Sequence, residues 1–237
     1  DPRRWAFLEN LMPVAVSDGT FVEVAQVLAF PVGGNGATMT DFEDTNLFTG
    51  NPTDEDASFE LVLRPSDLSG NHVLFETGGN GTGMSLRLLG NQLVFRIQNG
   101  FSSNNPDSEN DYLAEVAATL PAAGQFYHVV AAITVDSTAA GLALFVNGAL
   151  AAADTAKDAF GADLGSAVPI GDWAGANVSG LGHVNGTVAG TGTHTAYDGD
   201  LASFRYYRGH ALTLAEAAAN YRALTHTPVT VTTTGDQ

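Results

Sequence analysis

Between Gly199 and Arg208 the chain alternates. Leu201, Ser203, Arg205 and Tyr207 fall on one side, and Ala202, Phe204, Tyr206 and Arg208 on the other. A period of two predicts a β-strand with two different faces. The period then changes. Thr213, with Glu216 three positions on, spells a capping box, and Leu212 with Ala217 forms the accompanying hydrophobic staple, which predicts a short helix. Upstream, the segment Leu120 to Asp154 reads as apolar strand, polar turn at Asp136 to Gly141, apolar strand, and a tight turn at Asn147 and Gly148. Further strands are predicted at Phe59 to Leu63, Val73 to Glu76, Met84 to Leu88, Leu93 to Gln98, Leu113 to Ala118, Phe126 to Val135, Leu142 to Val146, Leu150 to Ala153 and Val168 to Ile170. Turns rather than helices separate them, which predicts an antiparallel two-sheet jelly roll, an all-β fold with short terminal helices.

The start of the chain reads differently. Asp1 and Pro2 suit a helix start, with Trp5, Leu8 and Met12 on one face, so a short N-terminal helix is predicted. A strand follows at Phe21 to Phe30, then a Gly-rich connection and the acidic stretch "DFEDTNLFTGNPTDED". The expected organisation is an N-terminal extension over 1–56, a β-sandwich over 57–225, and a tail or linker over 226–237.

Three runs, "GQFYHVVAAI", "LALFVNGALAA" and "GDLASFRYYRGHALTLAE", resemble the second half of bacterial laminin-G-like, concanavalin-A-like domains. The resemblance covers roughly Ala57 to Leu224. Leu201, Phe204, Arg205, Tyr207, Ala211, Leu212, Thr213 and Glu216 fall on positions that match the family ending, with Gly209 and His210 as a departure. It implies the jelly-roll fold and leaves the function open.

The 237 residues carry 26 acidic against 9 basic side chains and a formal charge of −17. That balance opposes nucleic-acid phosphates and anionic lipid surfaces. With no cysteine, disulfides, thiolate metal sites and a cysteine nucleophile are all excluded. No apolar run reaches the roughly 20 residues that span a bilayer, and the first residues do not read as a signal sequence. Membrane insertion is therefore not expected.

Catalysis on this fold would call for two carboxylates facing each other across a cleft. Asp54, Glu55 and Asp56 lie in a loop, and Glu60 opens a strand without carboxylate companions. No nucleophile turn and no phosphate-cradling glycine loop is present. The expected protein is not an enzyme. None of the six histidines has the i, i+4 spacing of a helix-borne zinc pair. His128 is expected to be a packed structural residue.

Two long connections break the rhythm of short turns: Asn99 to Tyr112, and Gly171 to Asp200. Long loops on a rigid sandwich are where binding resides. Trp173, Asn177, Asn185 and Tyr197 supply an aromatic face and amides suited to a glycan; the competing reading is that Trp173 and Tyr197 are simply buried. Calcium is the expected cofactor, since hard cations take carboxylate and amide oxygens. The resemblance implies a ligand in the loop after the "I-G" strand, at Asp172 or Asn177, whereas Gly83 and Met84 stand where the family's other ligand is usual. Asp107 and Asp111 form an independent acidic loop. The same acids also serve as a solubilising surface. The expected role is a secreted or cell-surface module, part of a larger surface protein or assembly, that binds a glycan or extracellular protein through its rim loops. A structural subunit of an assembly is the alternative, and a glycoside hydrolase or lyase the third.

Overall fold

The computed structural model describes residues 56–77, 83–99, 112–135, 141–155, 157–158, 179–182 and 193–225, with five short strands nearer the N-terminus. In chain order the strands are β1 (Trp5–Phe7), β2 (Pro13–Val14), β3 (Glu23–Val24), β4 (Leu28–Phe30), β5 (Ala37–Met39), β6 (Ala57–Pro65), β7 (Asn71–Glu76), β8 (Gly83–Leu89), β9 (Gln92–Asn99), β10 (Tyr112–Thr119), β11 (Tyr127–Thr134), β12 (Gly141–Val146), β13 (Ala149–Thr155), β14 (Lys157–Asp158), β15 (Ser179–Leu181), β16 (Thr195–Ala196) and β17 (Gly199–Arg208). The helix α1 (Leu214–Thr225) follows. A seven-stranded sheet runs β1-β17-β6-β11-β12-β13 with β4 also on β17, and an eight-stranded sheet runs β14-β10-β9-β8-β7-β15-β5 with β16 also on β7. All pairs are antiparallel except β16 on β7. This is the jelly-roll sandwich that the alternation predicts.

Phe59, Leu61 and Leu63 of β6, Val129, Ala131 and Ile133 of β11, and Leu86, Leu88, Phe95 and Ile97 of the facing sheet close one core between the layers. The ring of Phe59 lies 5.0 Å from Phe75 and 5.1 Å from Tyr206, so aromatic packing ties the sheets together. A bulge between Leu201 and Ser203 shifts the parity of β17. Leu201 thereby joins Phe204 and Tyr206 in the core, although strict alternation would place it on the opposite face. Phe145 packs with Val130, Ala132, Tyr207, Leu212 and Ala217 in a second cluster on the outer side of the seven-stranded sheet.

That second cluster lies beneath the helix. Its start carries the capping box: Thr213 N donates to Glu216 Oε2 at 2.8 Å, and Glu216 N donates to Thr213 Oγ1 at 3.3 Å. Asn147 and Gly148 adopt φ of 52° and 74°, the left-handed pair that a two-residue hairpin turn needs. A Cβ on Gly148 would fall 2.9 Å from Tyr221 Cβ and 3.1 Å from Ala218 Cα, so this glycine also lets the helix approach.

Two expectations are corrected. Trp5–Phe7 forms a strand, not a helix, because Trp5, Ala6 and Phe7 pair with Tyr207, Tyr206 and Arg205 at the sheet edge, and this long-range pairing overrides the local spacing. The connection from Gly171 to Asp200 is not one uninterrupted loop: Gly180 and Leu181 of β15 pair with Glu76 and Phe75, and β16 pairs with His72 and Val73. The first 56 residues also contribute to both sheets, through β1 and β4 on β17 and β5 on β15. The Val168 to Ile170 strand and the Asp136 to Gly141 turn lie outside the described residues, except Gly141 itself, which opens β12.

Candidate functional site

The outer sides of the two sheets carry different chemistry. On the seven-stranded sheet, Glu60 sits at the centre of β6, 1% exposed. Being a carboxylate it only accepts, so the groups around it are donors. His128 Nε2 donates to Oε1 at 2.7 Å, while Arg205 Nη1 (3.2 Å), Asn220 Nδ2 (3.3 Å) and the Tyr207 hydroxyl converge on Oε2. Burial works to raise the Glu60 pKa, but the His128 hydrogen bond and the charges of Arg205 and His128 outweigh it and hold the carboxyl below its ordinary range. The same carboxylate adds to burial in pushing the Tyr207 phenol up, so it remains a donor. His128 Nδ1 is buried and has no hydrogen-bond partner among the described residues. His128 is thus the packed structural residue that the sequence predicts, and Glu60 fastens helix to sheet.

On the eight-stranded sheet the polar side chains form a lattice. Cross-strand register aligns Glu76 of β7, Ser85 of β8, Arg96 of β9 and Glu115 of β10 in one row. Their apolar neighbours Leu86, Phe95, Ile97, Ala114 and Val116 point into the core, which places this row on the outer face. Arg87 belongs to the adjacent row, opposite Val73 and Val94. Arg96 Nε and Nη2 both donate to Gln98 Oε1, at 2.9 and 2.8 Å. Its Nη1 reaches Glu115 Oε2 at 3.3 Å, and Arg87 Nη2 reaches the same oxygen at 3.2 Å.

Arg87 Nη1 lies 3.2 Å from His194 Nε2; a guanidinium only donates, so that nitrogen accepts. The Arg87 side chain is 3% exposed and its Nε has no hydrogen-bond partner among the described residues, whereas Glu115 is 42% exposed. Burial lowers the Arg87 pKa, opposed by Glu115 and reinforced by Arg96. Two guanidiniums therefore share one half-exposed carboxylate.

On the outer face of the eight-stranded sheet the described carboxylates do not face each other across a cleft. Glu76 and Glu115 stand three strand spacings apart, about 14 Å between backbones, with Arg96 between them, whereas glycosidase pairs lie roughly 5–9.5 Å apart. Among the described residues no group of three or more histidine, aspartate or glutamate side chains could hold a metal ion. Of the residues singled out for ligand binding, Tyr197 is described and is 2% exposed, in the main core. Burial, then the nearby Asp200 and Asp198, raise its phenol pKa. Its ring is not an open platform; the burial reading holds. Trp173, Asn177 and Asn185, and the calcium candidates Asp172, Asp107 and Asp111, lie outside the described residues. Sequence reasoning did not single out Arg87, Arg96, Gln98 or Glu115. The signal was present in "MSLRLL", "LVFRIQ" and "LAEVAA", where polar residues alternate with core residues.

Comparison with family models matches residues 33–218 to a laminin-G-like model described as the concanavalin A-like lectin/glucanases superfamily. The chain belongs to this superfamily. No curated protein matches it. Similar solved structures include the binding domain of botulinum neurotoxin DC in complex with rat synaptotagmin II, with 12% identity, TM-score 0.48, and 74% of this chain covered against 38% of that one. Botulinum neurotoxin type C, from a study of cell entry dependent on two ganglioside molecules, gives 15% identity, TM-score 0.47, and coverage of 73% and 37%. The botulinum neurotoxin type G receptor binding domain gives 11%, 0.48, and 71% and 38%. This lectin/glucanase-superfamily chain thus spans less than two fifths of those chains' length. Among its described residues no helix is long and apolar enough to cross a membrane.

Proposed function

We propose that this chain is a non-enzymatic binding module, secreted or held at a cell surface, that recognises a glycan or an extracellular protein. The observation that carries the reading is the outer face of the eight-stranded sheet. It carries hydrogen-bonded polar side chains on three adjacent strands, with Glu115 the exposed member, and among the described residues its Glu76 and Glu115 stand at opposite ends of one row. Rim loops complete the surface, with Trp173, Asn177 and Asn185 as candidate contacts and calcium bound by Asp172 and Asn177 or by Asp107 and Asp111.

An array of glycans and extracellular proteins tests the reading. The intact chain is expected to retain at least one ligand, and a chain with residues 183–192 replaced by a short Gly-Ser connection to lose affinity while keeping its melting temperature. No retention of any ligand overturns the reading, and unchanged affinity after the replacement removes the long connection from the surface. Calcium is tested separately by its stabilisation of the folded state. A melting temperature raised by calcium and insensitive to it in Asp172→Ala supports the first placement; the same loss in Asp107→Ala with Asp111→Ala supports the second. Identical curves with calcium and chelator remove calcium from the account.

A second reading has one observation in its favour. Among the described residues β13 ends the seven-stranded sheet, and Leu150 on it is 51% exposed, as befits a strand edge used in assembly. Light scattering of the wild type and Leu150→Lys separates the two: an oligomer dissolved by the substitution favours assembly.

A further inference from the structure

His72 of β7 is held at both ends of its ring. Nδ1 lies 2.8 Å from the Ala196 carbonyl oxygen, and Nε2 lies 2.7 Å from the Ser69 carbonyl oxygen. A carbonyl oxygen only accepts, so each bond needs an N–H, and a neutral imidazole carries one. Thr195 Oγ1, 3.1 Å from Nδ1, gives its own proton to the Asn71 carbonyl oxygen at 2.9 Å and can only accept from the ring. The three oxygens around the ring therefore all call for a donor. We propose that His72 is a proton-operated clasp: with both nitrogens protonated it fastens residues 193–196 to the connection between β6 and β7, and on losing one proton it lets that segment open. The inference goes beyond the binding reading and does not depend on what the chain binds.

The surroundings present those acceptors. Asp67 Oδ1 accepts from Ser69 N at 2.6 Å and from Ser69 Oγ at 2.7 Å, which fixes the turn that aims the Ser69 carbonyl. Gly70 follows at φ 77°, where a Cβ would fall 3.3 Å from His72 Nε2. On the other side β16 is two residues long, and its pairing with His72 and Val73 is the one parallel pairing among the described residues. Parallel pairs are slightly the weaker kind, so the ring bonds carry more of the attachment. The other charged or titratable groups on the elements around the ring are Asp67, Arg87 on β8, and His194 and Asp198 on either side of β16. Hydrogen bonds from Ser69, with a smaller contribution from His72, hold the Asp67 carboxyl below its ordinary range, so it remains an anion near the ring. His194 acts with the opposite sign. Its Nε2 accepts from Arg87, so protonating it breaks that bond and loosens the segment in acid. With His72 as the clasp, the closed segment binds a proton that the open one gives up, so attachment is present in acid and lost as pH rises.

The test uses the full chain with isotope-labelled histidine between about pH 5.5 and 8.5, above the ordinary carboxylate range. Ring-nitrogen spectra count the N–H groups on His72. Amide exchange, corrected for its intrinsic rate, is followed at Tyr197, whose N donates to Gly182 O at 2.7 Å, and at Ser66, whose N donates to Asp198 O at 3.0 Å. Expected are two ring N–H groups at the acid end, and a loss of protection at Tyr197 and Ser66 on the order of tenfold as His72 gives up one of them, the size of one hydrogen bond to a charged group. Amides of β9 should not change. His72→Gln, which offers a single amide nitrogen, should show the lower protection throughout with no dependence on pH, and His194→Gln should keep the dependence. One ring N–H on His72 at the acid end with Tyr197 still protected overturns the proposal. So does protection that rises with pH, that does not follow the His72 titration, or that falls equally in His72→Gln. The wild-type spectra decide the matter even where His72→Gln fails to fold.

Discussion

Replacing Glu60 by Gln removes one negative charge from the second, helix-covered cluster while keeping the shape of the side chain. Gln Oε1 can still accept from His128. The amide nitrogen would then face Arg205, Tyr207 and Asn220, all of which donate to the native carboxylate. Tyr207 can rotate its hydroxyl and Asn220 can turn its amide, and Arg205, with 21% of its side chain exposed, can partly rehydrate. What is lost outright is the charge-assisted bond to Arg205 and the charged character of the others. Hydrogen bonds to charged groups contribute about 1.5–3 kcal/mol each, and breaking a fully buried pair costs about 3–5 kcal/mol. The rearrangements above place Glu60→Gln at about 2–3 kcal/mol. For a domain of this size that lowers the melting temperature by roughly 4–12 °C at pH 7.

The pH dependence follows from the lowered Glu60 pKa. The folded state binds this proton less readily than the unfolded chain does, so the charge stabilises above the ordinary carboxylate range. That contribution disappears as pH falls through the folded-state value. The gap between wild type and Glu60→Gln in thermal unfolding should accordingly be widest near neutrality and close on acidification. A gap that stays constant from pH 7 to pH 3, or a variant as stable as wild type at pH 7, refutes the view of Glu60 as a charged fastener of the helix.

Other outcomes test the frame around it. Phe204→Ala, which empties a site packed 5.0 Å from the Phe75 ring, should cost roughly 3–5 kcal/mol; a negligible shift in the denaturant midpoint would remove Phe204 from the core. Gly148→Ala strains a left-handed residue and drives a methyl against Tyr221 Cβ and the Ala218 backbone, so it should cost more than about 1 kcal/mol; an unchanged denaturant midpoint would remove the close approach of the helix. Thr213→Ala should cost about 1 kcal/mol through loss of the helix cap, with amide exchange accelerated in the first turn of α1.

What could be read from the sequence was local. The capping box at Thr213 and Glu216, the Asn147–Gly148 turn and the strands from β6 to β13 each follow from a few neighbouring residues, and each is found in place. Features decided by distant pairing were misread. Trp5–Phe7 has helix-like spacing but is claimed by the edge of β17, and Ser179–Leu181 has no β-branched residue to announce a strand. The bulge in β17 reverses a parity that alternation alone cannot see. The polar lattice was hidden for the same reason. Arg87, Arg96 and Glu115 lie on three strands, and only the register brings them onto one oxygen. Calcium and the aromatic rim rest on the segments around Asp107 and Asp172, which lie outside the described residues.

The central claim, binding without turnover, is tested most directly by measuring both on one panel. Neutral, uronic and sulfated glycans are incubated with the full chain, and retention is recorded beside new reducing ends and unsaturated products. The account predicts saturable retention of at least one glycan or, on the companion protein array, one protein, with no product from any glycan. Product formation that is abolished by Glu60→Gln or Glu115→Gln in a folded chain would contradict it.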